Sequence, residues 1–338
     1  MGNNKNKVSR RQFIHQIAVG SLTAPTLIQM LSETVLGQTQ PHKQQIIWLQ
    51  GQTSGIHRMG ILSLPGFNEF INKYFSVIPV DQMDVDDLQT DLSNEVRSHI
   101  LILDGYFTQD YDDHLHNMLK DLIVISRAAI LLGNEASYSN HAPEGFMDLE
   151  QDLLHHVETP YFKLPGAPVH PAHILGSLNH MILYDLPDLD EYKRPTMFFG
   201  NSICDRCEYR GDLERGRFVK HHGGGSGCLY LLGCKGPKTR NTCPTERWNN
   251  ATSWCVAAGS PCVGCSEPDY PNHLGLGMFG QLPSGEAGSR SAIVRHSGKI
   301  IGGALGLTVA GIGIHALSSR NASQNQSKAF IQIQDESK

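Results

Sequence analysis

Eight cysteines carry the chemistry of this chain, and they lie together. They fall between Cys204 and Cys265 with the spacing C-x2-C-x20-C-x5-C-x8-C-x11-C-x6-C-x2-C, and none occurs in the first 203 residues. Eight thiolates suffice for two four-ligand centres. Three chemistries could use them. Iron–sulfur clusters take four cysteines each. Structural zinc also takes four, and Cys262-Val263-Gly264-Cys265 has a suitable spacing. Disulfides need an even count and an oxidising compartment. The stretch is rich in glycine, with Gly223, Gly224, Gly225, Gly227, Gly233, Gly236, Gly259 and Gly264. Glycine lets backbone amides curl around an anion. Helix and strand periodicity is weak here, so the segment is expected to fold around its ligands and not around an apolar core.

The scaffold for such a segment has to come from the rest of the chain. Its 338 residues are enough for two domains with cores. The net charge of −5, with 18% charged residues, is no nucleic-acid footprint, which needs a basic face. Short apolar runs at 44–49, 75–80, 100–103 and 128–132 read as strands. Between the last two, residues 110–126 place Leu115, Met118, Leu119, Leu122 and Ile123 on one helical face. Strands alternating with helical stretches predict a parallel α/β domain over residues 40–190. Loops after the strand ends make the site in such sheets. They are expected at 51–60, 104–108, 133–139 and 165–171. Residues 191–281 form the cysteine-rich domain.

Both ends of the chain read as addresses. Ser9-Arg10-Arg11-Gln12-Phe13-Ile14, after Lys5 and Lys7 and before a weakly apolar run, has the twin-arginine pattern of bacterial export. Residues 1–37 are therefore expected to be a signal segment. Proteins on that route travel folded, often with the cofactor inserted. Thiols occupied by metal before export need not become disulfides, which favours metal here. At the other end, residues 282–299 read as a linker. Residues 300–317, IIGGALGLTVAGIGIHAL, carry no charge and could span most of a bilayer core. Gly302, Gly306 and Gly313 would suit packing against another membrane helix. A polar tail, 318–338, follows.

At this point the chain resembles the small subunit of membrane-bound NiFe hydrogenases along nearly its whole length. The resemblance rests on Trp48-Leu49-Gln50-Gly51-Gln52, on Arg194-Pro195 and on Phe198-Phe199-Gly200. It continues through Cys204-Asp205-Arg206-Cys207-Glu208, Gly227-Cys228-Leu229-Tyr230 and Gly233-Cys234-Lys235-Gly236-Pro237. Asn241-Thr242-Cys243-Pro244, Arg247-Trp248-Asn249 and Pro261-Cys262-Val263-Gly264-Cys265-Ser266-Glu267-Pro268 complete it. The resemblance implies a flavodoxin-like parallel-sheet domain followed by an irregular iron–sulfur domain and a transmembrane helix. It implies a relay of clusters and a large subunit that holds a nickel–iron centre. It places a distal 4Fe–4S cluster on Cys204, Cys207, Cys228 and Cys234. A medial cluster falls on Cys243, Cys255, Cys262 and Cys265.

The departures from the family pattern matter as much. The family's distal cluster usually has one histidine, and Cys204 stands there. An anionic ligand in place of neutral imidazole should lower the potential. The medial cluster usually has proline at its fourth corner, where this chain has Cys255 after Trp254. A 4Fe–4S cluster is therefore expected, with 3Fe–4S as the alternative. The family's proximal cysteines align with Ser54, His57, Glu135 and Ala167, which are not a cluster ligand set, so that site is expected to be empty.

Two functions follow from the resemblance. One is an electron-transfer small subunit, not catalytic alone, in an exported hydrogenase or hydrogenase-like complex. Its partners would be a NiFe-type large subunit, a membrane cytochrome b or other integral electron acceptor, and the lipid bilayer. It would sit at the periplasmic face of the bacterial inner membrane. The other is a relative that keeps fold and relay but no longer serves hydrogen oxidation. An assembly or scaffold module with structural clusters or disulfides is a third reading, from another class.

Overall fold

The computed structural model describes residues 10–18, 46–53, 55–64, 75–79, 99–109, 113–141 and 143–283. Ser54, the apolar run 300–317, the polar tail and most of the linker lie outside the described residues. Among the described residues no helix is long and apolar enough to cross a membrane. The chain divides into two compact units, residues 1–212 with 217–282, and residues 213–216 with 283–338. The first unit contains the sheet and all eight cysteines.

The elements of the first unit start with a helix, α1, Arg10–Ala18. Then come β1, Ile46–Gln50, α2, Ile56–Leu62, β2, Phe75–Pro79, and β3, Ile100–Asp104. They continue with α3, Asp113–Ile125, β4, Ala128–Leu132, and α4, Gly133–Ser137. β5, Tyr161–Leu164, and α5, Pro171–Tyr184, complete the α/β part. The five strands pair in parallel in the order β2-β1-β3-β4-β5. This is the flavodoxin-like order, and its direction reverses between β1 and β3.

A parallel sheet covered on both faces needs apolar side chains pointing both ways. β3, Ile-Leu-Ile-Leu-Asp, is buried at all five positions. Ile46, Trp48, Ile100, Ile102, Ile130 and Phe162 pack on one face with Ile174, Leu175 and Leu178 of α5. Ile47, Leu49, Leu101, Leu103 and Leu131 pack on the other with Leu115, Met118, Leu119 and Leu122 of α3.

Two of the expected site loops turn into helices. The stretch 51–60 contains most of α2, and 133–139 contains α4. β5 and α5 are not among the strands and helices that the sequence pattern indicates. β5 carries Lys163 in its centre, which breaks an apolar run. The lysine is nevertheless buried, because its ammonium pairs with Glu150, which also accepts a hydrogen bond from Tyr161 Oη at 2.6 Å.

The cysteine domain also corrects one expectation. It has a small apolar core of its own, in which Ile203, Val219, Leu229, Trp254 and Val256 pack with Cys234, Cys243 and Cys262. Its helices are short, such as Ile203–Arg206 and Cys243–Glu246, too short for periodicity to show.

α1 belongs to the fold. Phe13 is fully buried, in the same cluster as Phe198 and Phe199, with its ring 5.6 Å from Tyr184 and 6.0 Å from His180. Arg10 pairs with Asp188 at 2.8 Å. Removing a buried phenylalanine ring generally costs roughly 3–5 kcal/mol. Phe13→Ala is therefore expected to lower the unfolding midpoint of protein that retains residues 10–18. A loss below about 1 kcal/mol, the scale of surface changes, would show that α1 does not pack here.

Candidate functional site

The sheet reverses direction between β1 and β3, and ligand crevices of such sheets lie outside the strand ends at that point. Asp104 closes β3 there. Its Oδ2 accepts the Trp48 indole N–H at 3.0 Å, and its Oδ1 accepts His57 Nδ1–H at 2.8 Å. His57 comes from α2 and is 2% exposed. Burial alone would push its pKa down. The hydrogen bond and charge of Asp104, with Glu135 adding, outweigh burial and leave it raised.

Glycine makes this crevice. A Cβ on Gly51 would stand 2.2 Å from Tyr106 O, so only glycine lets the ends of β1 and β3 meet. Gly133, at φ +87°, begins α4, and a Cβ there would stand 2.6 Å from the His57 ring and 2.7 Å from Glu135 Oε2. His57 Nε2 and Glu135 Oε2 thus face the same small space, with the Gly166 backbone also beside the imidazole and Glu135 Oε2 buried without a hydrogen-bond partner. Ala167 offers only its backbone, and its amide supports the Cys265 sulfur. No thiol is present among these residues. Among the described residues no three His, Cys, Asp or Glu side chains come close enough to hold a single ion. The donor set at this crevice does not fit a cluster that takes four thiolates.

Four of the cysteines gather around one space. Cys243, Cys255, Cys262 and Cys265 line one cavity of about 330 Å³, with Trp248, Trp254 and Ala167 in its wall. Burial, then the neighbouring Cys265 and Cys255, raises the Cys243 thiol, while Trp248 hydrogen-bonds to it and opposes the rise. Burial pushes Cys265 up to about 11, and Cys262 is raised by burial with Cys234 and Cys265. Cys255 is the exposed member.

The second set is built on the turn Ile203–Arg206, capped reciprocally by Ser202 and Asp205. Cys204 lies in this turn and Cys207 caps it. Burial and the charges of Cys234, Cys207 and Cys228 all raise Cys204. Burial pushes Cys207 and Cys228 each up to about 11. A Cβ on Gly236 would stand 3.2 Å from Cys204 Sγ and 3.4 Å from Cys234 Sγ, so glycine leaves room beside two thiols. In both sets the thiols oppose one another's ionisation. Cationic iron among them removes that repulsion and makes thiolates the stable form. The residues present therefore fit four-cysteine iron–sulfur centres.

Comparison with known proteins finds similar chains. Residues 199–276 match the family model for the C-terminal part of the NiFe/NiFeSe hydrogenase small subunit. The chain is a relative of the NiFe hydrogenase small subunits. It is 36% identical over 168 residues to the periplasmic NiFe hydrogenase small subunit 1 of Nitratidesulfovibrio vulgaris, covering 46% of this chain and 52% of that one. It is 42% identical over 130 residues to the quinone-reactive Ni/Fe-hydrogenase small chain of Wolinella succinogenes, covering 37% of each. The chain thus spans about half or less of the length of these curated relatives. Its fold is similar to that of a chain in the NiFeSe hydrogenase structure of Dm. baculatum, with TM-score 0.61 at 24% identity over 70% of this chain and 99% of that one.

In this hydrogenase small-subunit relative, two histidines missed by the sequence reading join the α/β part to the cysteine domain. His170 caps α5 just before Pro171, the position where proline favours a helix start, and that spacing was the available signal. Its Nδ1 accepts Ala172 N–H at 3.2 Å, so Nε2–H donates to Arg247 O at 2.6 Å. Its ring meets Trp248 edge-on at 4.6 Å. His173 Nε2 lies 2.6 Å from Thr242 Oγ1, beside Cys243, and its ring stacks on Phe198.

Burial lowers the His170 pKa to about 4. Since the folded value lies below the unfolded value of about 6.5, the unfolded state takes the proton first. Stability is complete above pH ~6.5 and falls as the pH drops toward 4, by up to roughly 3 kcal/mol. Unfolding midpoints of wild type and His170→Asn across this interval test it. The variant, which keeps a capping side chain, is expected to lose less stability on acidification.

Proposed function

We propose that this chain is the iron–sulfur electron-transfer small subunit of an exported, membrane-anchored NiFe-hydrogenase-type complex. The observation that carries the reading is the gathering of the eight cysteines into two sets of four, one of them around a single cavity. Cys204, Cys207, Cys228 and Cys234 would hold the distal cluster, and Cys243, Cys255, Cys262 and Cys265 the medial one. Bound there, the clusters supply one-electron acceptance and release. The protein contributes eight thiolates, the two tryptophans that wall the medial cavity, and backbone amides that reach the sulfurs. Tyr209 N–H donates to Cys207 Sγ at 3.4 Å, for example.

On this reading residues 40–190 are the α/β domain and 191–281 the cluster domain. A large subunit of the NiFe type would pass electrons to it, and an integral membrane carrier such as a cytochrome b would receive them. The periplasmic and quinone-reactive relatives support an exported, membrane-associated setting. Arg10-Arg11 would direct export, and 300–317 would anchor the chain.

A specific observation favours a second reading, in which the subunit keeps the relay but no longer serves hydrogen oxidation. The crevice where the family's proximal cluster would sit holds His57, Asp104 and Glu135 instead of thiols. Without a cluster there, the step from a nickel–iron centre to the medial site is long.

Anaerobically purified protein is expected to contain about eight irons, four per four-cysteine site. Cys255→Pro should leave about seven, with the resonance of an oxidised three-iron cluster. Zinc in place of iron, or fewer than six irons after reconstitution, overturns the proposal. For the second reading, hydrogen-driven reduction of the clusters in the native complex should be slow or absent. Rapid reduction, or a third cluster in the unmodified protein, would sink it. The combined change Ser54→Cys, His57→Cys, Glu135→Cys and Ala167→Cys should gain about four irons if the crevice is still shaped for a cluster.

A further inference from the structure

The two four-cysteine sets meet at one residue, Lys235. It follows Cys234, and its backbone N–H donates to the Cys262 carbonyl at 2.7 Å. The Cys262 N–H in turn donates to Cys234 Sγ at 3.4 Å. One ligand of each set is thus fastened to the other through adjacent peptides. The Lys235 side chain is fully buried. Its Nζ donates to the Gly280 carbonyl, and its charge interacts with Cys234, Cys262 and Asp269. A Cβ on Gly264 would stand 3.5 Å from Lys235 Cβ, so the loop of Cys262 and Cys265 closes over the lysine stem.

A buried ammonium costs several kcal/mol unless anions and hydrogen bonds surround it. One carbonyl is little compensation, and the sulfurs on both sides together with Asp269 supply the rest. The other charged groups beside the thiols act on one set: Arg210, Asp212 and Glu208 on the first, Glu267 on the second. The charge of Lys235 reaches thiols of both sets.

We propose that Lys235 is a redox-tuning residue shared by both clusters, its single buried charge raising the two reduction potentials together. Reduction adds one electron, and so one negative charge, to a site. A fixed cation nearby stabilises that state more than the oxidised one, and the low dielectric of the interior strengthens the effect. Sharing the cation keeps the two potentials in step, which favours electron passage in either direction. The inference rests on the two-cluster reading above.

The test is a potentiometric titration of the full chain, loaded anaerobically and followed by electron paramagnetic resonance. Lys235→Met keeps the length of the stem and removes the charge. Both midpoint potentials are expected to move negative with the iron content unchanged. Lys235→Arg should return both toward the wild-type values, which a merely structural role would not require. If Lys235→Met loses iron, Lys235→Gln, which keeps a donor for Gly280, is read in the same way. Potentials that stay put with iron retained, or a shift at one site alone, overturn the proposal. Wild-type protein without iron would sink the two-cluster reading as well, so the two failures are distinguishable.

Discussion

The guanidinium of Arg194 is the interaction on which the arrangement of the cysteine domain depends. It is fully buried where the α/β part ends. Its Nε donates to Asp190 at 2.8 Å, and its Nη1 reaches Glu267 Oε2 at 3.1 Å and the Ser266 carbonyl at 3.3 Å. Glu267 Oε1 then accepts Arg240 N–H at 2.6 Å. Burial opposes the charge on Arg194, but Glu267 and Asp190 keep its pKa raised. Removing one member of such a buried pair usually costs about 3–5 kcal/mol, because the other is left charged and alone. The same stretch is held from the sheet side. Asn134 donates to Cys265 O at 2.8 Å, Tyr138 to Ser266 O at 3.0 Å and Asn140 to Pro268 O at 2.6 Å. The thiol of Cys265 is therefore placed by side chains from α4 and the loop after it, about 130 residues away in sequence.

The crevice below is organised by the same economy of polar groups. Trp48 and His57 both donate to Asp104, so one carboxylate fixes an indole on the core face of β1 and an imidazole on α2. The imidazole then has one direction left, toward Gly133 and Glu135. A carboxylate that orients a histidine is common where the histidine's other nitrogen does chemistry. Here that nitrogen faces a carboxylate oxygen at the strand ends.

Much of this is legible in the amino-acid sequence. Continuous apolar runs mark four of the five strands, because a doubly covered parallel sheet leaves no polar face to interrupt them. The cysteine spacing marks a region with enough thiols for two four-ligand centres, and the division into two sets of four is what the resemblance implies. β5 escapes because Lys163 stands in it, and only the distant Glu150 explains how a lysine can be buried there. α1 escapes because an arginine pair followed by apolar residues has the same pattern whether it serves as an address or as an amphipathic helix. The helix packs against His180, Tyr184 and Phe199, which no local pattern shows. His170 and His173 escape for a related reason. Their partners, Arg247 and Thr242, lie about 70 residues further along.

Cys255 gives the four thiols around the cavity an asymmetry with consequences for durability. Cys243 and Cys262 are sealed inside the protein, whereas Cys255 opens to solvent. Peroxide and other small oxidants in water can reach its sulfur without any opening of the fold, and thiolate sulfur that water can touch is the first to oxidise. Oxidation would begin at this thiol, while Cys243 and Cys262 stay shielded. Of the four thiols around this cavity, one is therefore open to attack from solution while two are shut away from it.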